Sequence, residues 1–192
     1  MNVTGLILAG GKSSRYGKQK LFETFDNEPL YMSSVRALKA ANITNYSIVT
    51  NEQLAETFQR AGHSVIVEPQ AHGGPLRALY HGFHALKNEP GEWFQVLAGD
   101  LPMIHGELLL TLQNTAIEDV EADIVLPIHK GRAQPLHALY HRRTLHTLET
   151  IIEHADHMGA LYDASSTKYL AFADEEKGFL NINSEHDWQG SF

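Results

Sequence analysis

The chain has 192 residues, of which 43% are hydrophobic and 20% charged, with a formal net charge of −8 and no cysteine. An acidic surface disfavours nucleic acid and anionic membranes as main partners, because both bind clustered Lys and Arg. The lack of cysteine excludes disulfides, thiolate metal sites and cysteine nucleophiles. No signal peptide and no stretch long enough to cross a bilayer stands out, so we expect a cytoplasmic protein.

The first two thirds of the chain alternate apolar runs with helical patterns. The predicted elements are, in chain order, strand 3–8, helix 29–41, strand 45–50, helix 52–62, strand 64–67, helix 75–87, strand 93–98, helix 106–117 and strand 122–127. Pro29 suits a first helical position, Asn51 an N-cap and Gly62 a helix stop.

The last third is less regular. Residues 129–140 allow an antiparallel strand or hairpin, a helix is predicted over residues 142–154, and residues 168–172 read as a short final strand. The alternation predicts an α/β fold, a doubly wound and mostly parallel sheet with helices on both faces. No linker or repeat interrupts it, so we expect one domain over residues 1–192.

The loop after the first strand reads LILAGGKSSRYGKQK over residues 6–20. Gly10 and Gly11 allow close approach of the backbone, so that their N–H groups can line an anion site. Cations and hydroxyls follow at Lys12, Ser13, Ser14, Arg15, Lys18 and Lys20. Together they favour a polyphosphate ligand over a solvated basic turn, which the glycine pair alone would favour.

Two common phosphate motifs do not fit this loop. A P-loop would need its first glycine at Leu6, and Gly5 stands one residue too early. A dinucleotide loop, G-x-G-x-x-G, is excluded because the glycines are adjacent.

Asp100 is the candidate metal ligand. In LAGDLPM, residues 97–103, it ends the fourth main strand, where a parallel sheet presents side chains to ligands. Mg²⁺ prefers one or two carboxylates together with phosphate oxygens. An aspartate in a solvated turn is equally plausible locally, but the basic loop at the same sheet edge favours the metal site.

The pattern L-A-G-G-x-S-x-R-x-G-x-x-K, from Leu8 to Lys20, resembles the signature loop of nucleotidyltransferases, most closely the molybdenum cofactor guanylyltransferases of the MobA family. The resemblance spans nearly the whole chain through Asn51, G-P-L, D-x-P, Q-P-L and N-I-N, in that order. It implies a Rossmann-like nucleotidyltransferase.

The resemblance also implies a nucleotide site. Its residues would be Leu8, Ala9, Gly10, Gly11, Lys20, Asn51, Glu68, Gly74, Pro75, Leu76 and Asp100. Arg15, Lys20 and Asp100 would be catalytic, with Asp100 on Mg²⁺ and Glu68 in place of a family aspartate. Arg77 and Ala78 stand where the family has a small residue and glycine.

Three amides are assigned to a pterin substrate by the same resemblance. Gln134 lies in QPLHALYH, and Asn181 and Asn183 lie in FLNINSEHDW, on one face of an extended segment. The alternative for the two asparagines is a structural turn before a last helix.

The implied activity is Mg²⁺-dependent transfer of GMP from GTP to molybdenum-bound molybdopterin, with release of pyrophosphate. Other cofactor-biosynthesis or molybdoenzyme-maturation proteins would be transient partners. Two alternatives stay open: a related cytidylyl- or sugar-phosphate nucleotidyltransferase, and a non-catalytic GTP-binding module. Gly10 favours the guanylyl family, since the similar pterin cytidylyltransferases tend to have alanine there.

Overall fold

The computed structural model of the chain describes residues 1–11, 19–69 and 73–182, and within them it contains ten strands and six α-helices. The strands are β1 (Val3–Leu8), β2 (Thr24–Phe25), β3 (Glu28–Pro29), β4 (Tyr46–Thr50), β5 (Val65–Val67), β6 (Trp93–Ala98), β7 (Ile124–His129), β8 (Arg132–Ala133), β9 (Leu139–His141) and β10 (Thr167–Ala171). The helices are α1 (Met32–Ala40), α2 (Glu52–Arg60), α3 (Gly74–Ala85), α4 (Gly106–Glu118), α5 (Thr144–Ile151) and α6 (Gly159–Asp163). Short 3-10 helices cover Lys20–Phe22, Pro135–His137 and Lys177–Phe179.

Eight strands form one sheet in the order β10-β7-β9-β6-β1-β4-β5, with β8 paired to β7. β1 runs parallel to β4 and β6, β4 to β5, and β7 to β10. β9 is antiparallel to β6 and β7. The predicted mostly parallel sheet is confirmed. Of the antiparallel strands, β8 lies within residues 129–140, where the sequence allowed a strand or hairpin, and β9 overlaps the end of that region.

Helices cover both faces of the sheet because neighbouring residues of a strand point to opposite sides. Ile7 of β1 packs in the cluster that includes α1 and α4, whereas Leu6 packs in the cluster that includes α3 and α5. Both side chains are fully buried. Within the described part of the chain, no helix has the length and apolar character needed to cross a bilayer.

The prediction of a helix beginning at Pro29 is wrong. Asp26 and Asn27 both have positive φ, 50° and 64°, and form the two-residue turn of a hairpin that pairs β2 with β3. Such a turn matches the twist of the two strands, and a proline is tolerated on this short, unpaired edge. Helix α1 therefore starts three residues later, at Met32.

Two predicted helix boundaries are confirmed and one predicted helix is shortened. Asn51 caps α2 by accepting the N–H of Leu54 at 3.2 Å, and Gly62, with φ +86°, follows the end of that helix. The helix expected over residues 142–154 ends at Ile151, and a separate helix, α6, follows.

The order of the strands creates a crevice. From β1 the chain moves to β4 on one side and later returns to β6 on the other side. At such a switch point the loops after the two central strands diverge and leave room for a ligand. The loops in question begin at Ala9, after β1, and at Gly99, after β6.

His137 is a buried base in the core near this crevice. Its side chain is 2% exposed and packs on the ring of Phe179, with a centroid distance of 4.9 Å. Among the described residues, neither ring nitrogen has a hydrogen-bond partner. Burial lowers the pKa of His137 to about 4, so the folded protein keeps this side chain neutral.

We expect the free energy of unfolding to fall when the pH is lowered from 7 to 5. The pKa of His137 in the folded protein lies below its unfolded value of 6.5. The free energy of unfolding that depends on this neutral side chain is therefore at its full value above pH 6.5, and it decreases as the pH falls from 6.5 to about 4. The loss between pH 7 and 5 amounts to about 2 kcal/mol. Urea unfolding of the wild type and His137→Phe at both pH values measures it, because the other histidines remain in both proteins. An equal pH dependence in the two proteins would contradict the prediction.

Candidate active site

A cavity of about 450 Å³ opens at the carboxyl ends of β1 and β6, in the crevice formed by the strand order. This volume lies in the range of sites that hold small-molecule ligands. The described residues that line it are Leu8, Ala9, Gly10, Gly11, Lys20, Leu21, Glu68, Gly74, Pro75, Ala78, Ala98, Gly99, Asp100, Leu136 and Asn181.

The loop after β1 is held through its carbonyl groups. Thr50 Oγ1 donates to the carbonyl of Ala9 over 2.9 Å, and Asn51 Nδ2 donates to the carbonyl of Gly10 over 3.1 Å. Within the described ranges, no acceptor is paired with the N–H of Gly10 or Gly11. These N–H groups are therefore available to a ligand, and such groups bind phosphate oxygens well.

Glu68 is a buried carboxylate next to that loop. It is 7% exposed, and a Cβ built on Gly10 would overlap Glu68 Oε1. Burial raises the pKa of Glu68, and no hydrogen bond from the described residues offsets this burial. Glu68 lines the cavity, so its carboxylate can accept hydrogen bonds from a ligand that carries N–H groups.

Lys20 and Asp100 form an ion pair in the lining of the cavity. Lys20 opens the 3-10 helix Lys20–Phe22, and its Nζ lies 2.6 Å from Asp100 Oδ2. The side chains are 13% and 17% exposed, which makes this pair much less solvated than a surface ion pair. Lys20 Nζ also donates to the carbonyl of Ile182.

The last described residues close the same wall. The N–H of Ile182 donates to the carbonyl of Asp100 over 3.1 Å. The Ile182 side chain is 1% exposed and packs on the fully buried Leu30. Asn181, one residue earlier, lines the cavity. The amide of Asn181 and the ion pair are therefore carried by directly connected parts of the structure.

The beginning of α3 also lines the cavity. Gly74 has φ +84°, a conformation that favours glycine, and Pro75 follows it in the first turn. Both residues and Ala78 line the cavity, whereas the Leu76 side chain is fully buried in the core. The N-terminus of this twelve-residue helix adds partial positive charge to the site.

A model of the family of MobA-like NTP transferase domains matches residues 5–168. The chain belongs to this family. It is therefore a nucleotidyltransferase, and the predicted family resemblance is confirmed.

Curated relatives match this NTP transferase over nearly its whole length. A protein of Geobacillus sp. (strain WCH70), named probable molybdenum cofactor guanylyltransferase, is 30% identical over 193 residues, covering 97% of this chain and 96% of its own. A protein of the same name from Bacillus subtilis (strain 168) is 32% identical over 208 residues, covering 98% and 94%.

Solved structures confirm the Rossmann-like fold of this NTP transferase. The molybdopterin-guanine dinucleotide biosynthesis protein A of Archaeoglobus fulgidus superimposes with a TM-score of 0.78 at 21% identity, covering 98% of this chain and 96% of its own. CMP:2-keto-3-deoxy-manno-octonic acid synthetase, complexed with CTP, gives a TM-score of 0.70 at 15% identity, covering 98% and 96%. At these identities the similarity concerns the fold alone.

Most of the predicted site residues of this NTP transferase lie around one cavity. Those on its wall are Leu8, Ala9, Gly10, Gly11, Lys20, Glu68, Gly74, Pro75, Asp100 and Asn181. Asn51 lies behind the wall as both helix cap and partner of the Gly10 carbonyl. Arg15 and Asn183 lie outside the described residues.

Gln134 does not line the cavity. Its backbone N–H donates to the carbonyl of Pro127 over 2.9 Å, and its side chain donates to the carbonyl of Arg132, which ties it to the turn between β7 and β8. Leu136, two residues later, reaches the cavity instead.

Four other cavity residues of this NTP transferase were not singled out as ligand-binding: Leu21, Ala78, Ala98 and Gly99. Ala98 and Gly99 belong to the L-A-G-D stretch before Asp100, so the end of a central strand was the available signal. Ala78 lies one turn after Gly74, which places it on the same face of α3. Leu21 is 4% exposed and is indistinguishable in sequence from an ordinary core residue.

Proposed function

We propose that this chain transfers GMP from GTP to molybdenum-bound molybdopterin, which gives the guanine dinucleotide form of the cofactor and pyrophosphate. The names of the relatives that match over more than nine tenths of the chain support this reaction. The observation that carries it is the cavity lined by Gly10, Gly11, Lys20, Glu68 and Asp100, in which neither glycine N–H has an acceptor among the described residues.

The triphosphate would lie over the loop after β1. The N–H groups of Gly10 and Gly11 have no partner among the described residues and would bind phosphate oxygens. Lys20 adds a positive charge to the lining of the same cavity. Arg15 remains a predicted further phosphate contact of this loop.

Glu68 would recognise the guanine base through hydrogen bonds. Guanine presents N1–H and an exocyclic amino group side by side, and a carboxylate accepts from both. Glu68 offers an acceptor that lacks a donor among the described residues, next to Gly10 and close to the end of β5. Cytosine has no ring N–H in this position, so the same contact would favour GTP over CTP.

Asp100 would hold Mg²⁺. Transfer of a nucleotidyl group generally needs a divalent metal ion, and Asp100 supplies the hard oxygen ligand that Mg²⁺ prefers. The ammonium of Lys20 at 2.6 Å indicates that this carboxylate is placed beside a positive charge. No cluster of three or more acidic or histidine residues in the described ranges offers an alternative metal site. The bound ion would supply neutralisation of the triphosphate charge.

The reaction requires that the two substrates are positioned correctly and that the negative charge of their phosphates is neutralised. The terminal phosphate of the pterin attacks the α-phosphorus of GTP, the bond to the bridging oxygen breaks, and pyrophosphate leaves. A phosphate nucleophile is anionic at neutral pH, so no general base is needed. The glycine N–H groups and Lys20 would stabilise the charge that builds on the phosphate oxygens. Asn181 would orient the pterin through its amide, with Asn183 as a predicted second contact.

The test is an assay of pyrophosphate release with molybdenum-bound molybdopterin and each NTP in turn. We expect release with GTP and little with CTP, ATP or UTP. Preference for CTP would replace the proposal with cytidylyl transfer. Binding of GTP without pyrophosphate release, with the pterin substrate supplied, would identify a non-catalytic nucleotide-binding module instead.

Gly10→Ala and Glu68→Ala are expected to weaken GTP binding by about tenfold each, typical of losing a hydrogen bond to a charged group. The added Cβ overlaps Glu68 Oε1, so it acts by pushing the carboxylate away from the base. The double variant should therefore bind GTP no more weakly than either single variant. Isothermal titration of GTP with all four proteins measures this. Additive losses would mean that the two residues act separately.

A further inference from the structure

We infer that the Lys20 ammonium is the resting counter-ion of Asp100, that it leaves this carboxylate when a divalent cation binds together with the nucleotide, and that the Ile182 carbonyl keeps it at the cavity wall. This inference rests on the proposed function and deepens it, because it concerns how the metal-binding and phosphate-binding groups of one site exchange partners.

The two roles assigned to this pair compete with the contact that the two side chains make. Asp100 is assigned to a metal ion and Lys20 to phosphate oxygens, yet Lys20 Nζ lies 2.6 Å from Asp100 Oδ2. An ammonium at that distance occupies a position from which a divalent cation would approach the oxygen, and the two cations repel each other. A divalent cation that binds Asp100 Oδ2 would therefore displace the ammonium from this oxygen.

A bound triphosphate would make the exchange favourable. Among the described residues, each charge of the pair has the other as its ion-pair partner, and both side chains are largely withdrawn from water at 13% and 17% exposure. A metal ion alone would leave Lys20 without its counter-charge, and a triphosphate alone would face the negative charge of Asp100. Both ligands together give each side chain a new partner, so we expect them to bind cooperatively.

The Ile182 carbonyl explains why Lys20 would not swing out of the cavity. This carbonyl accepts from Lys20 Nζ independently of Asp100. The residue that carries it is fixed by its N–H, which donates to the Asp100 carbonyl, and by its side chain, which packs on Leu30. Lys20 can thus release Asp100 while one of its donors stays held, and the other two donors remain available to phosphate oxygens.

The first experiment is a double-mutant cycle in inorganic tripolyphosphate binding, measured by isothermal titration in the presence of EDTA. Its members are the wild type, Asp100→Asn, Lys20→Met and the double variant. We expect Asp100→Asn to tighten metal-free binding because it releases Lys20 and removes a repelling charge. In the Lys20→Met background no lysine is released, and Asp100→Asn only removes the repelling charge. The increase in tripolyphosphate affinity should therefore be smaller there by roughly tenfold, within the range of coupling between contacting residues. An equal gain in both backgrounds would overturn the inference.

A second measurement follows the metal without any nucleotide. Mn²⁺ binding, observed by electron paramagnetic resonance, should be tighter in Lys20→Met than in the wild type by roughly tenfold, since no ammonium competes for Asp100. Asp100→Asn should lose this binding. Equal Mn²⁺ affinity in the wild type and Lys20→Met would contradict the exchange. Asp119 and Lys168, an exposed pair at 3.6 Å, provide the matched control in the variants Asp119→Asn and Lys168→Met.

Leu30→Ala tests the role of Ile182. This substitution removes the packing partner of Ile182 and should weaken binding of tripolyphosphate with Mg²⁺ present when Lys20 is in place, but have little effect in the Lys20→Met background. Equal weakening in both backgrounds would assign Leu30 to general stability and overturn the retention of Lys20 by Ile182. The midpoint of urea unfolding reports whether each variant is folded.

Failure of the exchange and failure of the proposed function give different results. Tripolyphosphate has no base, so the cycle does not depend on recognition of guanine. If Lys20 and Asp100 are coupled in the cycle but GTP and CTP bind equally, the exchange is supported and the guanylyl assignment is contradicted. Normal guanylyl transfer without coupling would keep the proposed function and overturn the exchange.

Discussion

We expect Asp100→Ala to lower the rate of pyrophosphate release from GTP and the pterin substrate by about two orders of magnitude or more. Removal of one electrostatic contact at a reacting phosphate typically has this effect. Asp100 is the cavity carboxylate assigned to the metal ion, and it also forms the ion pair with Lys20 at 2.6 Å. Its loss would therefore remove the proposed metal ligand and one of the groups that hold the lysine.

The assay is steady-state pyrophosphate release at saturating GTP and Mg²⁺. Asp119→Ala is the matched control, because Asp119 is also an aspartate paired with a lysine, in an exposed position outside the cavity. The control should retain full activity. Near-normal turnover in a folded Asp100→Ala variant would contradict the role of this carboxylate. Raising the Mg²⁺ concentration should not restore the lost rate, because the proposed ligand itself would be missing.

The sequence predicted the central part of the site because its signals are local. Gly10 and Gly11 directly follow an apolar run, and Asp100 directly follows another. Parallel strands end at the same edge of a sheet, so a correct assignment of two strands was sufficient to bring these residues together. The structure places all three in the lining of one cavity.

The contacts that complete the site are long-range and left no pattern in the sequence. Lys20 meets the Ile182 carbonyl across 162 positions of the chain, and the Glu68 carboxylate lies against Gly10. Every residue has a main-chain carbonyl, so no residue type in the sequence marks the one that binds Lys20. The order of the strands and the course of the chain after residue 176 decide which carbonyl reaches the lysine.

The error at Pro29 has a different physical cause. A proline is favoured at the first helical position and is also tolerated on a short edge strand. Asp26 and Asn27 both adopt positive φ in the structure and select the hairpin. Asp and Asn are among the residues that tolerate this conformation, so the turn was the stronger local signal, and the helix begins only at Met32.

We expect Lys20→Ala to reduce turnover by about two orders of magnitude as well, with the larger effect on kcat than on the KM for GTP. The ammonium is needed most where negative charge builds on the phosphate oxygens during transfer, so its loss affects the transition state more than the bound ground state. Lys20→Arg restores the charge, but the planar guanidinium is bulkier than the ammonium held between Asp100 and the Ile182 carbonyl, so only part of the rate should return.

Lys168→Ala removes an exposed lysine from a comparable ion pair and should leave kcat unchanged. Because alanine also leaves Asp100 without its counter-ion, the variant should be compared at saturating Mg²⁺. There, a lysine needed only to neutralise Asp100 would be dispensable, whereas a lysine needed by the phosphates would not.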